Sequence, residues 1–277
     1  MSSFYHRRTF CLITGASRGF GEGLALKFAS KFAPKSVIVL VARNETRLNS
    51  VKLKVNSLRS DVLVFTMTAD LCDIDGEVFE DNLKAQLKNN NLSSSDFNQC
   101  LLLQNAGSAG DLSLRVLQQN DKKLLDEYWS LNLTSALIIN SLFFSIFTNL
   151  QTKHRYVVQI SSLLAIKPFK SWGLYCAAKA ARDMIFSVIS KEEPDIRVLS
   201  YAPGPLQTDM FQQAMDEIAD VDTLAVFKGL WESAKSVLSC EQSAEKLSML
   251  LHFDVFQSGS HVDYYEVNDC GEITSTN

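Results

Sequence analysis

The feature that most limits what this chain can fold into is a regular alternation of short apolar runs with segments of helical periodicity. The apolar runs predict strands at residues 9–14, 36–41, 62–66, 100–104, 155–160, 197–202 and 261–267. The helical segments cover residues 22–32, 48–58, 75–88, 121–150, 173–192, 209–237 and 239–251. Most of the runs lack polar alternation, which is typical of parallel strands covered on both faces. The pattern therefore predicts a doubly wound α/β fold with a mostly parallel sheet and helices on both faces.

Composition narrows the classes of protein that remain. No break in composition divides residues 1–277, so one domain is expected, ending in a polar tail at 268–277. The net charge of −4 gives no basic field for nucleic acid or an anionic membrane, and residues 136–150 are too short and too polar to span one. Six cysteines without a C-x-x-C pair and four scattered histidines predict no metal site. Free thiols in strand-like runs predict a reducing compartment, hence a cytoplasmic protein.

A glycine-rich turn joins the first predicted strand to the first predicted helix. Gly15 allows a tight turn, and Gly19 and Gly21 let backbone N–H groups at the helix start approach a pyrophosphate. Such turns also serve packing, but this position between strand and helix favours dinucleotide binding. The sequence therefore predicts a Rossmann-type domain whose cofactor contacts the whole loop, namely Gly15, Ala16, Ser17, Arg18, Gly19, Phe20 and Gly21.

The end of the second strand predicts which dinucleotide binds. An acid about 20 residues beyond the glycine turn would suit NAD, but the strand runs into Arg43 and Asn44. Together with Arg18, Arg43 favours a 2′-phosphate and hence NADP(H), although either arginine alone could be a solvated surface residue. Asp70 and Leu71, after the third strand, are placed to meet the adenine; Asp70 could equally cap a turn.

A tyrosine and a lysine four residues apart supply the candidate chemistry. On a helix, Tyr175 and Lys179 share one face, and the lysine charge is expected to lower the pKa of the phenol towards working pH. Ser162, at the end of the fifth strand, could donate a hydrogen bond to a carbonyl that Tyr175 protonates, or could merely cap the strand. Asn132 is a poor choice in mid-helix, which suggests either a local role or a satisfied core amide.

These motifs, in this order, resemble the short-chain dehydrogenase/reductase family. The resemblance covers nearly the whole chain and rests on Thr14-Gly15-x-x-x-Gly19-x-Gly21, Asn105-Ala106-Gly107, Ser162, Tyr175-x-x-x-Lys179 and Pro203-Gly204. It implies that Tyr175 donates the proton in reduction, Lys179 lowers its pKa and holds the nicotinamide ribose, Ser162 polarises the carbonyl, and Asn132 supports a relay water. It also implies cofactor contacts at Asn105 and at Leu206, Gln207, Thr208, Asp209, Met210 and Phe211.

Within that family, the chain is similar to the members that reduce the side-chain ketone of a pterin in tetrahydrobiopterin formation. The similarity rests on Gly15–Gly21, Trp129-x-x-Asn132-Leu133-Thr134-Ser135, Pro168-Phe169-Lys170-x-Trp172, residues 180–184, residues 201–205 and Ser258-Gly259-x-His261-Val262-Asp263. It implies that Leu163 and Gly204 line the substrate and that Asp263 accepts two neighbouring N–H groups of the pterin. Without the resemblance, Asp263 would be interpreted as a surface acid.

The family resemblance leads to further expectations about the sheet, the substrate cover and the oligomer, and two alternative functions stay open. The family pattern Asn-Asn-Ala-Gly begins here with Gln104, at a position thought to brace the sheet. Residues 206–237 are expected to cover the substrate, and residues 212–237 match no known pattern, which leaves the substrate range open. The alternatives are a general carbonyl or dicarbonyl reductase and a non-catalytic NADP(H)-binding sensor or scaffold. The family also implies a homodimer formed by the helices at 121–150 and 173–192.

Overall fold

The sheet of the computed structural model, which describes residues 4–148, 154–233 and 236–274, is parallel throughout. Its seven strands lie in the order β3-β2-β1-β4-β5-β6-β7. Their bounds are β1 Thr9–Thr14, β2 Val37–Ala42, β3 Leu63–Thr68, β4 Gln99–Gln104, β5 Arg155–Ile160, β6 Ile196–Ala202 and β7 Ser260–Asp263. The doubly wound fold predicted from the strand and helix alternation is confirmed, and every pairing between these strands is parallel rather than most of them.

Helices cover both faces of this sheet. They are α1 Gly19–Lys31, α2 Glu45–Leu58, α3 Gly76–Asn89, α4 Lys122–Trp129, α5 Ser135–Ile146, α6 Gly173–Glu192, α7 Asp209–Glu217, α8 Val221–Glu232 and α9 Cys240–Phe253. Short polar side chains begin most of them, as Asp75 begins α3 by accepting a hydrogen bond from the Val78 N–H. Because the strands are parallel, each connecting helix returns the chain to the amino-terminal edge of the sheet, and the carboxyl ends of the strands lie together at the opposite edge.

The two faces of the sheet have separate apolar cores, as the period of two along a strand requires. Cys11 and Ile13 of β1 pack with α1, α2 and α9, whereas Phe10 and Leu12 pack with α3, α5 and α6. On the second face Phe10 lies 4.8 Å from Phe147 between ring centroids. The strands are thus apolar on both sides because both sides are covered.

The helical region predicted at 121–150 is not one continuous α-helix. A π-helical turn, Ser130–Thr134, separates α4 from α5, and residues 149–150 lie outside the described residues. Over the described ranges, Lys122–Ile146 is the one helical run long and apolar enough to pass as a membrane span. That is weak evidence of a membrane, because Ile139 and Phe143 pack into the core against the sheet, as core helices of globular proteins do.

Two other predicted elements also differ. The last strand, predicted at 261–267, ends at Asp263, because Asp263 and Glu266 form reciprocal caps that start a 3₁₀ turn. The helical stretch predicted at 209–237 is two helices, α7 and α8, separated where Asp220 caps α8; residues 234–235 lie outside the described residues. The tail is held as far as Ile273, which bridges to Val267, and residues 275–277 are not described.

Candidate active site

A cleft of about 1330 Å³ opens at the carboxyl ends of the strands. The chain reverses direction across the sheet between β1 and β4, and such a switch point is where doubly wound sheets bind ligands. Most of the residues predicted from the sequence line this cleft: Gly15, Ser17, Arg18, Gly19, Phe20, Arg43, Asn44, Leu71, Asn105, Ser162, Leu163, Tyr175, Lys179, Gly204, Leu206, Gln207, Thr208, Asp209, Met210, Phe211 and Asp263.

Four predicted residues do not line the cleft. Ala16 is fully buried and donates its N–H to the Val41 carbonyl. Gly21 lies behind the loop, Asp70 caps its own turn by accepting a hydrogen bond from the Cys72 N–H, and Asn132 is buried behind the cleft wall. For Asp70 the alternative weighed from the sequence, a local cap, describes what the carboxylate does here.

The glycine turn forms a cradle that only glycine could build. Gly15 and Gly19 have φ values of 66° and 56°, in the left-handed region. A Cβ at Gly21 would lie 2.2 Å from the Gly15 carbonyl oxygen. Helix α1 begins at this turn with no side-chain cap from Arg18, so the amides of its first turn are left to bind an anion. These features fit the pyrophosphate of a dinucleotide.

Hydrogen bonds tie this turn to the end of β4. The Thr14 hydroxyl accepts from the Asn105 and Ala106 N–H groups, both at 3.0 Å. The Asn105 side-chain amide donates to the Thr14 carbonyl at 3.0 Å and the Gly15 carbonyl at 3.2 Å. Asn105 therefore braces the glycine turn, while Gln104 donates to Asn140 and the Ala136 carbonyl and joins β4 to α5.

Three arginines line the end of the cleft that lies beyond β2. Arg43 lines it, with a guanidinium nitrogen 4.0 Å from the Asp70 carboxylate. Arg18 pairs with Asp209 of α7, and both side chains remain largely exposed. Arg47 adds a third cation that the sequence analysis did not identify. The sequence did indicate Arg47, because residues 43 and 47 are four apart across the start of α2 and so are neighbours on its surface.

Ser162, Tyr175 and Lys179 meet in the middle of the cleft. The Ser162 hydroxyl lies beside the Tyr175 phenol, near enough to lower its pKa, and it caps a 3₁₀ turn by accepting from the Leu164 N–H at 3.2 Å. Lys179 Nζ lies 5.4 Å from the centroid of the Tyr175 ring and donates to the Ile160 carbonyl at 2.6 Å. The three side chains thus form one group at the ends of β5 and α6.

The charge states differ from the sequence-based expectation. Burial raises the pKa of Tyr175 to about 12, opposed by the nearby Ser162 hydroxyl and the charge of Arg182. Burial, and then the charge of Arg182, lowers the pKa of Lys179 to about 7, while Asp183 acts in the opposite direction. Burial thus raises the pKa of the phenol rather than lowering it, and the nearby charge that favours the phenolate is Arg182. The influence of Lys179 on Tyr175 stays a prediction.

Asn132 owes its position to the π-helical turn. Its side-chain oxygen accepts from the Ser108 N–H at 2.9 Å, and its amide donates to the Tyr128 carbonyl at 3.0 Å. The same oxygen lies 3.0 Å from where a Cβ on Gly107 would be. Asn132 is thus a satisfied buried amide that holds the loop after β4 close behind Lys179.

Asp263 enters the far end of the cleft from the end of β7. One carboxylate oxygen accepts from the Tyr265 N–H at 3.0 Å, and Glu266 accepts from the Asp263 N–H at 2.9 Å. Burial raises the pKa of the Asp263 carboxyl, Glu266 adds to that effect, and Lys167 opposes it. Glu266 and Lys167 also line this end, and neither was singled out from the sequence.

An aromatic cover closes the cleft above Tyr175. Trp172 lies edge-on to Tyr175 at 5.1 Å between centroids and stacks on Phe227 of α8 at 5.4 Å. Phe211 of α7 in turn contacts Phe227 and Trp231. Helices α7 and α8 therefore form an apolar wall over the cleft, which gives structure to the stretch that matched no known pattern in the sequence.

Comparison with known proteins agrees with this geometry. The family model described as short chain dehydrogenase matches residues 9–219. The chain is 41% identical to the sepiapterin reductase of Rattus norvegicus, over 93% of this chain and 96% of that protein. It is 28% identical to a benzil reductase ((S)-benzoin forming) of Bacillus subtilis (strain 168), over 72% of this chain and 75% of that one. This chain therefore belongs to the short-chain dehydrogenase family.

A solved structure supports the fold assignment alone. A short-chain dehydrogenase from Burkholderia cenocepacia J2315, in complex with NADP, superimposes with a TM-score of 0.72 at 18% identity, covering 94% of this chain and 97% of that one. Members of the family use NAD(H) or NADP(H). By its membership and its relatives the chain is an oxidoreductase that acts on a carbonyl or hydroxyl group.

Proposed function

We propose that this protein uses NADPH to reduce the side-chain ketone of a pterin, of the sepiapterin or 6-pyruvoyl-tetrahydropterin type, in tetrahydrobiopterin biosynthesis. The single observation that carries the proposal is the arrangement of the cleft: a carboxylate, Asp263, lines one end, and Ser162 and Tyr175 line the middle together. The similarity of nearly the whole chain to the rat sepiapterin reductase supports it.

The preference for the phosphorylated cofactor rests on charge. Arg18, Arg43 and Arg47 line the end of the cleft beyond β2, where NAD-binding domains place an acid instead. The glycine turn and the first turn of α1 would hold the pyrophosphate, and residues 206–211 would cover the nicotinamide end. When bound, the cofactor supplies the hydride.

The side chains of this site would manage the proton. Ser162 would hold the carbonyl oxygen beside the phenol, and Tyr175, which stays protonated at neutral pH, would donate its proton to that oxygen. Lys179, in its ammonium form, would hold the ribose and restore the proton of Tyr175. Asn132 would support a relay water, and the aromatic cover of Trp172 and the two cover helices would exclude bulk water.

Asp263 would set which ketone reaches Tyr175. Its carboxylate would accept two neighbouring N–H groups of the amino-pyrimidinone ring, with Leu163 and Gly204 against the ring faces. One of its oxygens accepts from the Tyr265 N–H, the side chain also caps the Glu266 N–H, and each carboxylate oxygen has more than one lone pair. The local cap and pterin binding are therefore compatible.

The direct test is NADPH oxidation with sepiapterin, compared with simple diketones. We expect the pterin to be the better substrate by kcat/KM, and we expect Tyr175→Phe to abolish turnover while NADPH still binds. Turnover of Tyr175→Phe near the wild-type rate would remove the tyrosine from the mechanism. Failure of every carbonyl to oxidise NADPH would favour a non-catalytic NADP(H) sensor or scaffold.

A general dicarbonyl reductase is the second candidate. The apolar cover, with Trp172 stacked on Phe227, suits an aromatic diketone, and the Bacillus subtilis relative is named for benzil. The substrate panel separates the candidates, since an aromatic diketone should then outperform sepiapterin and Asp263→Asn should leave its reduction unchanged.

We also propose a cytoplasmic homodimer. Six unpaired cysteines support a reducing compartment. Exposed apolar side chains on α5 and α6, among them Leu137, Met184 and Val188, support an interface on these helices. Light scattering should give twice the chain mass of 30.9 kDa, and Met184→Asp should shift it towards the monomer.

A further inference from the structure

Arg182 is a buried charge that the proposed mechanism does not use. It lies on α6, seven residues after Tyr175 and three after Lys179, and only 2% of it is exposed. Burying a guanidinium is costly unless its N–H groups find partners. Its presence in the core beside the catalytic group therefore needs a reason.

The partners of Arg182 are main-chain carbonyls around the active site. One terminal nitrogen donates to the Gln104 carbonyl at 2.9 Å. The other donates to the Ala106 carbonyl at 3.1 Å and the Asn132 carbonyl at 3.4 Å. A single guanidinium thus joins the carboxyl end of β4 to the π-helical turn and anchors both to the helix that carries Lys179.

Arg182 and Asp183 bring opposite charges to Lys179. Asp183 lies one helical turn from the lysine, accepts from Gln159 at 2.5 Å and pairs with His261 of β7 at 2.7 Å. The positive charge of Arg182 lowers the pKa of Lys179, and the negative charge of Asp183 raises it. The other ionisable groups around these residues are Tyr175 on the same helix and Tyr128 of α4, which faces Arg182.

We propose that Arg182 is a positioning residue for the reduction: its guanidinium holds the β4 end and the Asn132 turn against α6, and its charge and that of Asp183, three and four residues after Lys179, act in opposite senses on the lysine. The inference rests on the proposed carbonyl reduction.

The test is the alkaline limb of the pH profile of kcat/KM for reduction, which falls as Lys179 loses its proton. Arg182→Met should move this limb to higher pH, because the lysine then keeps its proton longer. Asp183→Asn should move it to lower pH. Each pH unit of displacement corresponds to a ~10-fold change in the ratio of protonated to neutral lysine. A merely structural role would not move the two variants in opposite directions.

Two further variants serve as controls. Arg182→Lys keeps the positive charge but loses the hydrogen bonds to the three carbonyls. The alkaline limb should therefore stay at its wild-type pH, while kcat falls by up to ~10²-fold because the reacting groups are misplaced. His261→Gln keeps the Asp183 charge and should leave the limb unmoved, which excludes titration of the histidine as the cause. If Arg182→Met does not fold, Arg182→Lys and Asp183→Asn decide.

The outcomes separate this inference from the proposed function. If the wild-type protein reduces no carbonyl with NADPH, the proposed function fails, and the inference fails with it. If the wild type is active but Asp183→Asn leaves the limb in place, or moves it in the same direction as Arg182→Met, the inference alone is overturned. A wild-type kcat in Arg182→Lys would equally remove the positioning role.

Discussion

Burial of Lys179 makes a measurable contribution to the pH dependence of folding. Unfolded, the lysine keeps its proton up to an ordinary pKa of 10.5, whereas in the folded protein burial lowers that pKa to about 7. Between these values the unfolded state binds more protons, so stability rises with pH. The difference between the two pKa values lowers the free energy of unfolding by about 5 kcal/mol below pH 7. About 2 kcal/mol of this loss is regained between ~pH 7 and ~pH 9.

The assay is chemical denaturation of the wild type and Lys179→Met across this range. The quantity to compare is the wild-type free energy of unfolding minus that of the variant, since groups common to both cancel. This difference should grow by about 2 kcal/mol from ~pH 7 to ~pH 9. Lys191→Met, an exposed lysine near the other end of α6, is the matched control and should give a constant difference. A constant difference for Lys179→Met as well would refute the argument.

Three other predictions test other parts of the site. Gly21→Ala places a Cβ 2.2 Å from the Gly15 carbonyl oxygen and should cost about 1–3 kcal/mol of stability and abolish NADPH binding, whereas Gly229→Ala meets no atom within 4 Å and should stabilise its helix slightly. Wild-type NADPH affinity in Gly21→Ala would contradict the cradle. Asp263→Asn should weaken pterin binding far more than NADPH binding by calorimetry; equal pterin affinity would end its anchoring role. Arg47→Ala should reduce the preference for NADPH over NADH, and an unchanged cofactor ratio would exclude Arg47 from the 2′-phosphate site.

The fold could be predicted because its signals are local. Apolar runs without alternation predict buried parallel strands. A glycine turn that joins the first strand to the first helix places the dinucleotide site at the carboxyl edge of the sheet. Gly15 and Gly19 adopt the left-handed conformations that this turn requires. The residues that follow each strand therefore meet in one cleft whatever the details of the helices between them.

The electrostatics of the site could not be predicted from spacing. The positions of Tyr175 and Lys179 follow from a helix, but the sign of each pKa shift depends on how deeply the surrounding elements bury them. The contacts of Arg182 could not be predicted from its place on a helix, since its carbonyl partners lie on β4 and in a distant turn. The π-helical turn could not be predicted, because one extra residue in a single turn hardly changes the spacing of the apolar residues along the helix.

The end of β7 was mispredicted for a related reason. The sequence after Asp263 continues with aromatic residues that favour a strand, and reciprocal caps between Asp263 and Glu266 turn the chain instead. Asp263, which forms this cap, lines the cleft. A carboxylate pair three residues apart at a strand end was the available signal.

The order of the strands determines the order in which a growing chain can assemble this cleft. β1 to β4 end at Gln104 and are followed directly by Asn105, the brace of the glycine turn, whereas β7 is the last of the seven described strands and lies at the edge of the sheet. Parallel strands pair only after their crossover is complete, so β7 docks on β6 after the other six strands have been synthesised. A nascent chain therefore gains its dinucleotide cradle early and its Asp263 carboxylate last, and loss of the β7 edge would leave the cradle present without the acid at the far end of the cleft.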